Sequence, residues 1–389
     1  MVISGLENFC AAAPALLPDN WGLLCNPAAI NSCLEMAPEV LMRAFPGRIK
    51  AIFGPQHGFF AEKQDNMVES DDAVHPRYKL PVYSLYGQTR RPTGRMLKGL
   101  DVLLVDLPDM GCRVYTFFTT LVACMEEAAV HGLAVWVLDR PNPLGRGVDE
   151  GPCLPPELFS FVGPHNMPLR HSLTLGELAL VVKHERKLDL DLRIIPVQGW
   201  QGGDFTTTGL PWVLPSPNLP TFDSALVYPG QVLLEGTTMS EGRGTTRPFE
   251  IFGMPGLDPW LLLEELKAGE TDALAGALLR PLYFEPTFHK FAGQVCGGVQ
   301  LHVTDNRAFR PLRATLAMLG AVNRRQPGLW EMKDPPYEYE LEKRPLDLLL
   351  GDPQAADMLL AGAKASDLEA RWQPGLSEWQ ERVRPYLLY

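Results

Sequence analysis

The sequence predicts an α/β protein: a doubly wound, mostly parallel sheet followed by a second, smaller α/β (α+β) C-terminal domain. Three observations predict it. Short apolar runs alternate with helical patterns through the first half, at spacings that call for crossovers rather than hairpins. Clusters of polar residues follow directly on three of those runs, and a fourth follows a less regular stretch. Past about residue 230 the texture changes to helical patterns around one strand of alternating character.

The candidate strands of the first part are 22–25, 49–53, 82–85, 101–106, 134–139 and 192–197. The clearest helix between them begins near Val114, where Val114, Phe117, Phe118, Leu121, Val122 and Met125 recur at helical spacing. Gly132 after His131 ends it. A second helix over 174–188 opens with Thr174 and Glu177 at the spacing of a capping box. Strand, helix, strand at these lengths means parallel pairing through right-handed crossovers, a Rossmann-like sheet over residues 1–230. In residues 231–389, Asp258 and Pro259 stand where a cap and first residue begin a helix over 259–267. Apolar residues at 295, 299, 301 and 303 predict a half-exposed strand over 295–304 in an antiparallel or mixed sheet. Helical patterns follow over 311–324 and 345–363.

With 389 residues, 46% hydrophobic and 21% charged, the chain has the composition of a soluble globular protein with room for two cores. Its net charge of −11 and the lack of any basic run exclude a nucleic-acid surface, which needs clustered Lys and Arg. The seven cysteines have no C-x-x-C spacing. Cys25 in GLLCN and Cys124 in LVACM read as small core hydrophobes rather than disulfide or zinc partners. The first twenty residues carry Glu7 and no basic run, unlike a secretory signal, and no apolar run reaches 18 residues. The expectation is a cytoplasmic protein with no membrane partner.

The four polar clusters are GPQHGFFAEKQDN (54–66), DLPDMGCRVYT (106–116), DRPNPLG (139–145) and PSPNLP (215–220). In a doubly wound sheet, ligands bind in the crevice beyond the carboxyl ends of the strands, so clusters leaving the same edge converge. Singly, each reads equally well as turn and cap chemistry. Together they predict a cleft. The run Glu62, Asp65, Glu69, Asp71, Asp72 reads first as a solvated acidic face. No G-x-S-x-G elbow, phosphate loop or H-E-x-x-H is present, EGRGTT (241–246) lacks the third glycine of a dinucleotide loop, and the histidines are scattered. What survives is acid–base chemistry with no metal and no cofactor.

The stretches FGPQHGF (53–59), VDLPDMGCRVYTF (105–117), LDRPNPLG (138–145), PSPNLP (215–220), LLEGTTMSEGRGTTRPFE (233–250), GVQLHVTD (298–305) and RPLDLLLG (344–351) form an ordered set. In that order they resemble the NamZ-type exo-β-N-acetylmuramidases, over nearly the whole chain. The resemblance implies a Rossmann-like catalytic domain, a C-terminal domain completing the cleft, and no cofactor. The implied reaction removes terminal β-1,4-linked N-acetylmuramic acid from the non-reducing end of peptidoglycan fragments, small amino-sugar or muropeptide substrates met in cell wall recycling.

Glycoside hydrolysis needs a carboxylic acid to protonate the leaving oxygen and a second group to activate water or attack the anomeric carbon. The family pattern places Glu in G-P-E-H-G, and this chain has Gln56, whose amide positions a water or a hydroxyl but is no useful acid. Three readings follow. Glu62 supplies the acid; or Asp106, Asp109, Glu150, Glu235 or Glu241 does; or hydrolysis is lost and sugar binding or sensing remains. A hydrolase for another amino sugar is a further alternative. The first assigns Glu62 as general acid, His57 as its polarising neighbour, and Asp109 or Glu241 as partner carboxylate. Arg113, Arg140 and Arg243 are candidates to grip the lactyl carboxylate, a task suited to a guanidinium. Asp139, Asn142, Glu150, His171, Asn218 and Glu235 are candidates for sugar hydroxyls and the acetamido group, and Tyr115 for stacking on the ring or donating its hydroxyl.

Overall fold

The computed structural model describes residues 2–12, 17–64 and 67–389, so Asp65 of the acidic run lies outside the described residues. Seven strands, β1 (Trp21–Cys25), β2 (Ile49–Gly54), β3 (Ala73–Val74), β4 (Pro81–Ser84), β5 (Val102–Asp106), β6 (Ala134–Leu138) and β7 (Leu192–Ile195), form one sheet in the order β3-β4-β2-β1-β5-β6-β7. Only the β3–β4 edge pair is antiparallel. The six parallel strands are those expected from the sequence, and they follow the doubly wound order 3-2-1-4-5-6, which reverses between β1 and β5.

The period-2 alternation of each strand sorts its side chains onto two apolar layers. Leu24, Leu103, Val105, Val135 and Val137 face one layer, closed by helices Phe117–His131 and Leu175–Glu185. Trp21, Leu23, Leu104 and Trp136 face the other, closed by helices Gly5–Ala11 and Ala37–Ala44. The helix expected from Val114 starts at Phe117, because Val114 and Tyr115 belong to a turn in which the Tyr115 N–H donates to the Cys112 carbonyl. It ends as expected, with Gly132 at φ 65. Thr174 and Glu177 form the expected capping box.

A second sheet holds β8 (Ile251–Met254), β9 (Ala277–Phe284) and β10 (Cys296–Val303), antiparallel with β10 in the middle. The strand expected at 295–304 is β10, but it is mostly buried rather than half-exposed, since helices Phe222–Gln231 and Pro259–Gly269 pack against it. β9 was hidden by Pro281, which an edge strand tolerates. The pattern at 345–363 resolves into helices Pro345–Leu350 and Pro353–Leu360, broken by Gly351 at φ 88. Helix Ala365–Val383 then packs on Pro311–Arg325.

The two sheets share one apolar core that runs from Leu24 to Val383. Arg113, expected to grip substrate, instead ties the two parts together within that core. Its side chain is 0% exposed. Nη1 donates to the carbonyls of Pro152 and Met167, both at 3.0 Å. Nη2 donates to those of Leu349 and Leu350 at 2.7 and 3.2 Å. The last two close helix Pro345–Leu350, where a cation also complements the helix dipole. A Cβ at Gly351 would stand 3.0 Å from Nη2, so this approach requires glycine.

Replacing Arg113 leaves four buried carbonyls without this donor, each costing about 1–3 kcal/mol if unsatisfied. Arg113→Met should lower the unfolding free energy by about 3 kcal/mol or more, read from the urea midpoint. Arg113→Lys should recover only part, because an ammonium cannot span the fork. An unchanged midpoint in Arg113→Met would rule out the role.

Candidate functional site

At the end of β2 the chain turns sharply, with His57 at φ 71 and Gly58 at φ 81, and the Gly58 N–H donates to the Pro55 carbonyl. The turn carries Gln56 inward. Its Oε1 accepts from the Thr116 hydroxyl at 2.5 Å, and its Nε2 donates to Glu338 Oε1 at 3.0 Å. Thr116 immediately precedes helix Phe117–His131, so the amide is registered against the loop that follows β5.

Glu338 comes from a segment 282 residues away, a tight turn in which Tyr337 and Glu340 exchange backbone hydrogen bonds. Tyr86, just beyond β4, donates its hydroxyl to Glu338 Oε2 at 2.7 Å. The Arg90 guanidinium lies 3.6 Å from the centre of the Tyr339 ring, pinning the turn to the first sheet's loops. Glu338 is 3% exposed. Burial pushes its carboxyl up to about 7; the Tyr86 and Gln56 hydrogen bonds favour the charged form but do not offset it, and Glu235 adds to the rise.

Opposite Glu338 stands a set of fixed charges. Arg243 Nη2 meets Glu235 Oε1 at 2.6 Å, and the Tyr337 hydroxyl donates to Glu235 Oε2 at 2.6 Å. Behind them is Glu241, with Lys290 Nζ at 2.9 Å, His289 Nδ1 at 3.3 Å and Arg243 Nε at 3.7 Å. Burial alone would raise the Glu241 pKa, but Lys290, Arg243 and His289 hold it at about 2. Glu241, expected as a partner carboxylate, is thus held as an anion behind Arg243 and lines neither neighbouring recess.

Gln56, His57, Tyr115, Thr116, Glu235, Arg243, Tyr337 and Glu338 line one recess at the carboxyl edge of the sheet. An adjoining recess shares Glu235, Arg243 and Tyr337 and adds His289 and Lys333. Among the described residues, eleven non-glycine residues have positive φ. Five of them, His57, Met67, Phe249, His289 and Glu338, line these two recesses. Such conformations cost about 1–3 kcal/mol each and persist where surrounding contacts dictate them.

Of the residues expected at the site, Gln56, His57, Tyr115, Glu235 and Arg243 meet in the first recess. Asp109 and Arg140 line a separate hollow near the β1–β5 switch point, beside Phe205 and Trp212. Arg140 grips Asp106 there with two bonds of 2.5 and 2.9 Å, and it lines neither of the two recesses. Glu62, the expected acid, is solvent-exposed and outside the lining of either recess. Asp139 accepts from Thr174, the Gly176 N–H and Tyr389, which makes it a buried cap. Asn142 bridges the carbonyls of His171 and Leu173 and accepts from the Leu144 N–H. Glu150 pairs with Arg170 at 2.8 Å. His171, 0% exposed, lies 3.3 Å from Asp109. Asn218 donates to the Gln64 carbonyl and so holds the loop that carries His57. A polar residue that closes a loop and one that meets a ligand look alike in sequence, which is why these were grouped together.

Glu338, Tyr86, Thr116 and Tyr337 were missed. The available signal was the run D-P-P-Y-E-Y-E (334–340), acids alternating with aromatics after a proline pair. Among the described residues, no group of three or more His, Cys, Asp or Glu is placed to hold a metal ion, and no helix is long and apolar enough to cross a membrane.

Residues 21–223 match the family model described as exo-beta-N-acetylmuramidase NamZ, N-terminal, and residues 226–389 match its C-terminal counterpart. The chain is 38% identical over 369 residues to the peptidoglycan beta-N-acetylmuramidase NamZ of Bacillus subtilis (strain 168), covering 95% of this chain and 86% of the relative. Two crystal structures of DUF1343 family proteins from Bacteroides fragilis NCTC 9343 share the fold. One is 29% identical with a TM-score of 0.85, the other 28% identical with 0.76; each covers 100% of this chain and 99% of its own.

Glu338 binds its proton more tightly in the folded chain, so its contribution to stability is complete below the ordinary value of 4.5 and is lost as pH rises through about 7. A difference of that size corresponds to about 3 kcal/mol. Glu338→Gln cannot titrate. The unfolding free energy of wild type minus variant should therefore fall by up to about 3 kcal/mol between pH 4.5 and 8, measured by urea denaturation. A difference that stays flat across that range would mean an ordinary carboxyl.

Proposed function

Because the chain belongs to the NamZ family of exo-β-N-acetylmuramidases, we propose that it is a glycosidase releasing terminal N-acetylmuramic acid from the non-reducing end of peptidoglycan fragments. The observation that carries the reading is the recess beside Gln56. A buried carboxyl whose pKa is about 7 stands there across from a second carboxylate, Glu235, that is braced by Arg243 and Tyr337. Hydrolysis of a glycosidic bond requires two such groups flanking the bond.

The same recess supports the choice of sugar. N-acetylmuramic acid differs from N-acetylglucosamine by a lactyl ether that bears a carboxylate. Arg243, the one expected guanidinium that reaches the recess, has Lys333 and His289 near it in the adjoining space. Arg243 is the anchor we assign to the lactyl carboxylate, with Lys333 adding charge at its edge. Tyr115 offers its ring rather than its hydroxyl, which donates to the Pro215 carbonyl at 3.0 Å. The amide of Gln56 is spent on Thr116 and Glu338, so its task is to fix a carboxyl in place.

Incubation with 4-nitrophenyl β-N-acetylmuramide and with the matching glucosaminide tests the proposal. Release from the muramide is expected. Arg243→Lys should lower kcat/KM for the muramide by roughly 10–100-fold, the worth of a hydrogen bond to a charged group, and affect a glucosaminide less. Turnover of the glucosaminide alone would sink the lactyl assignment. Binding without turnover of either would make the protein a sugar sensor.

A further inference from the structure

We infer that Glu338 is the proton donor to the leaving oxygen, held for that task by the Gln56 amide and the Tyr86 hydroxyl. The inference rests on the hydrolytic reading above. Three carboxyls are gathered around Arg243, and they are not equivalent. Glu241 is enclosed by Lys290, His289 and Arg243, and Glu235 is engaged by Arg243 and Tyr337. Both oxygens of Glu338 instead meet neutral donors, Gln56 Nε2 at 3.0 Å and Tyr86 Oη at 2.7 Å. A buried carboxyl without a direct ion pair is the one that retains a proton near neutrality.

Gln56 matters here because it does not titrate. A second carboxyl 3.0 Å from Glu338 would share its proton, and the two would titrate as a coupled pair. The amide supplies a fixed N–H and leaves a single acid. It cannot rotate without breaking the 2.5 Å bond that Thr116 donates to its other end. Glu338 itself is held at φ 45, between Tyr337 and Tyr339, which are anchored by Glu235 and Arg90 respectively. Gln56 and Tyr86 are thus positioning residues.

In the reaction, the Glu338 carboxyl gives its proton to the glycosidic oxygen as the C1–O bond breaks, and the departing sugar leaves with a new hydroxyl. The oxygen of a water molecule becomes bonded to C1, and one of its protons passes to solvent, from which the acid is recharged. A proton taken up by the Glu338 carboxylate restores the acid, so the balance is one water consumed per bond cleaved.

The test compares wild type and Glu338→Gln on two muramides, the natural disaccharide with N-acetylglucosamine as leaving group and a 2,4-dinitrophenyl glycoside, whose departure needs no proton. On the disaccharide, kcat should fall by about 10²–10⁴-fold, the usual worth of general acid catalysis, with little change in KM. On the dinitrophenyl glycoside the fall should be under about tenfold, which also establishes that the variant is folded and binds substrate. The alkaline limb of the kcat/KM profile on the disaccharide should disappear in the variant. Glu338→Asp, which keeps an acid on a shorter arm, should recover part of the loss. Equal losses on both leaving groups, or a variant at the wild-type rate on the disaccharide, would overturn the assignment while leaving the hydrolytic reading intact. Wild type that cleaves neither muramide overturns both.

Discussion

The fold turns on a single buried guanidinium. Arg113 leaves the loop after β5 and places its charge, out of reach of water, on carbonyls from both sides of the domain junction. Enclosing a cation is costly unless it is compensated, and here four carbonyls, two of them at a helix C-terminus, accept from its two terminal nitrogens. The consequence reaches the site through the chain itself. Helix Pro345–Leu350 follows Glu340 by only a few residues, so fixing its end fixes where Tyr337 and Glu338 enter the first domain's loops. Arg113 therefore serves substrate only by building the recess in which substrate would sit.

Within that recess, electrostatics assigns different work to chemically identical groups. Three glutamates stand around one arginine. Glu241 is surrounded by cations and stays ionised to very low pH; Glu338, held by an amide and a phenol, stays protonated to near neutrality. Burial is strong in both cases, so the sign of the result depends on whether compensating charges were buried alongside. The left-handed backbone at His57, Phe249 and Glu338 belongs to the same economy of position. These residues cannot relax because their neighbours on both sheets dictate the direction of the chain.

The doubly wound sheet also explains why one hollow lies apart from the recess that holds Glu338. The reversal of strand order between β1 and β5 opens a crevice by construction. In this protein Arg140 and Asp106 bridge that crevice with paired hydrogen bonds, and Phe205 and Trp212 close over it. The chemically richer recess is displaced toward β2, where the second domain brings its own charges to the edge of the first.

The sequence by itself determined the six parallel strands and several helix ends, because those depend on local periodicity and on caps such as Thr174 with Glu177 and Asp258 before Pro259. It also determined the family, since motifs in a fixed order over the whole chain leave little freedom. It singled out Gln56, His57, Tyr115, Glu235 and Arg243, which meet in one recess, as polar residues near strand ends or in a shared motif. What it did not contain was direction and partnership. Asp139, Asn142 and Glu150 have the same local signature as Gln56, yet they turn inward to close loops, and Glu62 turns out to water. Glu338 acquires its chemistry only by being buried against a residue 282 positions away. A pKa is a property of an environment, and only the tertiary structure decides which environment each carboxyl receives.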